Sequence, residues 1–112
     1  MSRSDRDRLL DILEASTAIR DHLTRGPLTD GLVFDAVRAR LIEIGEAVKD
    51  VSPILLDQQP AIPWQQVAAM RDQLAHRYFD TSYAIVEQTV GPDLAELTAA
   101  VTVLLATLGG PE

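Results

Sequence analysis

Apolar positions along the chain recur at helical spacing, and nowhere do they alternate with period two. Ser4 suits an N-cap, and Asp5 and Asp7 suit the first turn behind it. Leu9, Ile12, Leu13, Ile19 and Leu23 then predict a first helix from about Ser4 to Thr24, closed by Gly26-Pro27. Thr29 or Asp30 can cap a second helix that runs to about Val51. There Val37, Leu41, Ile44, Val48 and Val51 step by four, three, four and three, a seam for packing against another helix. Gly45 interrupts this helix, and its natural physical reason is the close approach of a neighbouring backbone.

Ser52-Pro53 closes the second helix, and Ile54 to Gln58 can add a short turn. Pro60 and Pro63 stiffen a connector. A third helix is predicted from about Pro63 to at least His76, with Trp64, Val67 and Leu74 as core candidates. Asp80, Thr81 or Ser82 can cap a fourth, carrying Ala84, Ile85 and Val86. Gly91-Pro92 follows, with Pro92 as a candidate first residue of a last helix through Leu94, Leu97, Val101, Leu104 and Leu108. Two separate helices and one kinked rod both fit that join. The pattern as a whole predicts an all-α, up-and-down bundle of four to five helices.

Composition narrows this picture. At 112 residues and 46% hydrophobic content, residues 1–112 make one domain. With no cysteine, disulfides and thiolate metal sites are excluded. The charged opening Met1 to Arg8 predicts no signal peptide. No apolar stretch reads as approaching the roughly 20 residues of a membrane span. A cytoplasmic protein without membrane contact is the expectation. The net charge of −7 argues against a protein that coats nucleic acid, and DNA is not an expected partner. It leaves room for a local basic cleft or a basic protein partner.

The unusual chemistry is concentrated between Met70 and Tyr78, which holds Arg71, Asp72, His76 and Tyr78. Asp72 and His76 are four apart and share a helix face, so the carboxylate can fix the imidazole tautomer. Arg71 and His76 are five apart, roughly 140° around a helix axis. Arg71 and Tyr78 return to nearly one face if the helix persists. A cation, an acid/base and a phenol can thus converge on one phosphate. Metal-free cleavage of RNA suits this set: histidine moves the 2′-OH proton and arginine neutralises the phosphate. DNA lacks that nucleophile. No cluster has metal-ligand spacing, and no cofactor is expected. The ordinary alternative is a surface ion pair for Arg71, a satisfied helix-end His76 and a packed Tyr78. Arg38 and Arg40 flank the second-helix seam either as solvated charges or as phosphate or partner contacts.

The stretch Arg71-Asp72-x-x-x-His76-x-Tyr78 resembles the R-x4-H-x-Y motif of HepT toxins, in the HEPN superfamily. Arg6 to Leu13 is similar to that family's opening helix, Ile44-Gly45-Glu46-Ala47 to its I-G-E-A segment, and Ile62-Pro63-Trp64 with Met70-Arg71 to a further segment. The resemblance implies a HEPN-like homodimer with metal-independent endoribonuclease activity at a cleft between two copies of the motif. Arg71 and His76 would be catalytic, with Asp72 in support. It also implies a toxin–antitoxin pair of type II or VII. The partner would be an MntA-like nucleotidyltransferase antitoxin that can adenylylate Tyr78, and the substrate an RNA such as a tRNA. The chain departs from the family pattern at Ala69, at Asp72, where asparagine is common, and at Arg77. A second reading keeps fold and partner but not the chemistry: a non-catalytic helical dimer that binds and stabilises a minimal nucleotidyltransferase.

Overall fold

The computed structural model describes residues 3–76 and 79–109, with 79–81 as backbone. All regular structure among these residues is helical. Helix α1 spans Asp5–Arg25, α2 Gly31–Asp50, α3 Pro53–Leu56, α4 Trp64–Ala75, α5 Phe79–Gln88 and α6 Leu94–Thr107. The expected all-α bundle is therefore found.

Local chemistry sets the helix starts. The Ser4 hydroxyl accepts from the Asp7 backbone N–H at 3.1 Å, and the Asp7 carboxylate accepts from the Ser4 N–H at 3.3 Å. This is a complete capping box. The backbone bond from Ser4, then its hydroxyl, hold the Asp7 carboxyl below its ordinary value. The contribution of the box is therefore full above the usual carboxylate range and fades as pH falls below it. At α2 it is Asp30, not Thr29, that accepts from Leu32 N and Val33 N.

Helix α2 is the central element, packed against α1 on one side and α4 and α5 on the other, while α6 lies along α1. The predicted seam of Val37, Leu41, Ile44, Val48 and Val51 is buried throughout. Leu9, Ile12 and Ile19 of α1, Leu74 of α4, and Val101 and Leu104 of α6 are buried in the same core. Leu13, Leu23, Trp64 and Val67 are half-buried against this core. Leu108, expected as the last core position, is 41% exposed because α6 has already ended at Thr107.

Ser16 is also buried, and its hydroxyl has no partner among the described residues. An unpaired buried hydroxyl is costly. Ser16→Ala is therefore expected to stabilise the fold by about 1 kcal/mol in urea titration, where an ordinary core serine would lose stability on the same change.

The α5–α6 join is one kinked rod. A π-helical turn, Thr89–Asp93, links the two helices, with Gly91 at φ −89° and ψ −125° and Pro92 inside. Proline removes a donor and crowds the preceding turn, and widening of the turn accommodates it. One expectation is corrected here. The run Ser82–Thr107, 26 residues, is long and apolar enough to cross a membrane by length and composition. Val86, Leu94, Leu97, Val101 and Leu104 of this run nevertheless serve the bundle core.

Candidate active site on α2 and α4

The site begins with Gly45. A Cβ built there would lie 2.8 Å from Arg71 Cβ, 3.1 Å from Arg71 N and 3.1 Å from Val67 O. Only a hydrogen fits between α2 and the backbone of α4, so this glycine sets how closely the helices cross. That is the close approach expected from its place in the sequence.

The crossing brings Arg71 beside the residue after Gly45. Arg71 Nε donates to Glu46 Oε2 at 2.5 Å, and Arg71 Nη1 donates to Asp72 Oδ1 at 2.9 Å. Asp72 first, then Glu46, push the guanidinium pKa above its ordinary value, so the group is a permanent cation. A guanidinium grips a phosphate best through two parallel N–H bonds. Here each two-donor edge already has one donor committed, and Nη2 remains between them. Glu46 was invisible as a partner in the sequence, lying 25 positions from Arg71. The available signal was its place next to a helix-interior glycine.

His76 is the C-cap of α4, with extended backbone at φ −73° and ψ 146°. The expected pairing of its ring with the Asp72 carboxylate is not what forms. His76 Nδ1 instead meets the Asp72 backbone carbonyl at 2.5 Å. The helix stops at Ala75, so the ring turns back onto the last-turn Asp72 carbonyl, which also accepts from the His76 backbone N–H at 3.3 Å, while the Asp72 carboxylate is held by Arg71. A carbonyl only accepts. The proton therefore resides on Nδ1 in the neutral ring, and Nε2 carries the lone pair. His76 is exposed, so Nε2 is reachable. The buried Ser82 places its hydroxyl 3.5 Å from the His76 carbonyl and ties this corner to α5.

Arg71, Asp72 and His76 are thus brought together at one end of α4. The expected convergence of Tyr78 with Arg71 lies outside the described residues, as does Arg77. Among the described residues no group of three or more His, Cys, Asp or Glu could hold a metal ion.

One side of the site is hostile to a nucleic-acid backbone. Glu46 also lines an open cleft of about 330 Å³, where Asp11, Glu14, Glu43 and Asp50 outnumber Arg3 and Arg8. Like charge excludes phosphates there. An anionic ligand is left with the opposite flank, toward His76.

A family model described as "Ribonuclease HepT-like" matches residues 9–104. The chain belongs to the HepT-like ribonuclease family. A Thermococcus cleftensis protein named "Probable ribonuclease HepT" is 36% identical over 102 residues, which is 87% of this chain and 92% of that protein. A Methanocaldococcus jannaschii protein named "Putative RNase MJ0127" is 35% identical over 88 residues, 70% of this chain and 68% of its own length. No solved structure matches. The HepT-like match runs from Leu9 in α1 to Leu104 in α6 and includes the Gly45 crossing and the Arg71–His76 corner.

Proposed function

We propose that this chain is a metal-independent endoribonuclease, the toxin of a toxin–antitoxin pair acting in the cytoplasm. Arg71 and His76 carry catalysis in a cleft between two copies. The observation that most supports this reading is the contact of His76 Nδ1 with the Asp72 carbonyl, which leaves Nε2 as a base near a permanent cation. Nε2 takes the proton of a ribose 2′-OH, and that oxygen attacks the adjacent phosphorus. The bond to the 5′-oxygen breaks, leaving a 2′,3′-cyclic phosphate and a 5′-hydroxyl. The leaving oxygen takes its proton from an imidazolium, which the second copy of the motif supplies. Arg71 offsets the charge that builds on the phosphoryl oxygens. Asp72 supports the site twice, through its carbonyl to the ring and its carboxylate to Arg71.

The proposed partner is a minimal nucleotidyltransferase antitoxin that moves AMP from ATP to the Tyr78 hydroxyl, releasing pyrophosphate. The added phosphate is negative and bulky, and it would occupy the space of an RNA phosphate. Incubation with the partner and ATP is expected to add AMP mass to the tryptic peptide bearing Tyr78 and to halt tRNA cleavage. Tyr78→Phe is expected to take no AMP and to stay active. Modification confined to another residue overturns the tyrosine switch. Full partner binding by a parent that cuts no RNA favours the non-catalytic dimer instead.

A further inference from the structure

We propose that Arg38 is a phosphate-binding residue of this cleft, holding the RNA backbone beside the phosphate addressed by Arg71 and His76. The proposal rests on the ribonuclease reading above and extends the site to α2.

Its basis is placement along the α2–α4–α5 contact. The start of α4 meets the end of α2, since Trp64, Gln65 and Ala68 share a groove with Val48, Lys49 and Val51. Gly45 then abuts Val67 and Arg71. Nearer the start of α2, the Phe34 ring stacks on Tyr83 of α5, with centroids 5.6 Å apart. The helices α2 and α4 therefore run antiparallel. Arg38 follows Phe34 by four residues and precedes Gly45 by seven. At 100° per residue, all three lie within about 20° of one line along α2.

Arg38 thus sits between the seat of Arg71 and the Phe34–Tyr83 stack, facing the α4–α5 corner. It is about 10 Å from Gly45 along the α2 axis, and His76 is about 7 Å beyond Arg71 in the same direction. The two residues come level at the end of α4.

Charge sets it apart from the arginines nearest to it. Arg71 is offset by Glu46 and Asp72, and Arg40 by Glu43 at 3.1 Å. Arg38 is half-buried and forms no ion pair with a described residue. A half-buried cation without a counter-charge among the described residues, on the flank away from the acidic cleft, is suited to a visiting phosphate. The plain structural role is that its aliphatic stem covers apolar surface. Arg38→Met keeps most of that stem and removes the charge.

The test uses the full-length protein with a tRNA substrate, measuring KM, kcat and binding across a salt series. Arg38→Met is expected to raise KM about tenfold, with the larger part of the loss in KM rather than kcat. The slope of log affinity against log salt should become shallower by about 0.7, the value for one lost contact to a single strand. Arg38→Lys should restore the slope. A Met variant with the parent's KM and slope overturns the proposal while the ribonuclease reading stands. A parent that neither cuts nor binds RNA overturns both, and is distinguished by the parent alone.

Discussion

His76→Ala is expected to reduce RNA cleavage by about 10²–10⁴-fold, the range for loss of a general acid–base group. Stability should hardly change, because the ring is exposed and its one described partner is a carbonyl that water can satisfy. Time courses at a fixed tRNA concentration, paired with urea titrations, separate the two effects. His76→Gln is informative beside it. The amide can preserve a hydrogen bond at the helix end but cannot shuttle a proton, so it should be as inactive as alanine. A His76→Ala protein that cleaves as the parent does would remove His76 from the chemistry.

Glycine-to-alanine substitutions at two positions of α2 are expected to have opposite signs. At Gly31 nothing lies within 4 Å of the new methyl, and alanine gains up to about 1 kcal/mol from helix propensity. At Gly45 the methyl would meet Arg71 Cβ at 2.8 Å, with backbone atoms of Arg71 and Val67 at 3.1 Å. Backbone cannot swing aside as a side chain can, so α4 must retreat from α2. Overpacking of this kind typically costs 1–3 kcal/mol. A net loss of about 2 kcal/mol is expected, a fall of roughly 10 °C in Tm. Cleavage should fall further than folding, since retreat of α4 pulls Arg71 from Glu46. Equal stabilisation by both substitutions would mean that the crossing is looser than described.

These two residues show why some of the molecule was legible in its sequence. The α2 seam follows from period alone, and Gly45 was recognisable as a contact because an interior glycine costs a helix stability without a reason. Its partner helix was not recognisable, since no local rule says which backbone approaches. Glu46 escaped for the same cause: a long-range pair leaves no periodic trace. The Asp72–His76 relation was misread in one atom. Spacing of four is right for the residues, but the helix ends at Ala75, and at the extended His76 the Asp72 backbone carbonyl takes the ring in place of the carboxylate. Gly91-Pro92 carried a true signal of interruption. Its local chemistry permits both a stop and a widened turn, and the packing of α6 along α1 selects the second.

The central claim is that RNA itself supplies the nucleophile and that no metal takes part. The most direct measurement is cleavage of a tRNA by the parent protein in EDTA, followed by the same RNA carrying a single 2′-deoxy substitution at the mapped site. The account predicts a 2′,3′-cyclic phosphate end from the first and an uncut second. Cleavage of both, or cleavage that appears only when a divalent metal is added, would contradict it.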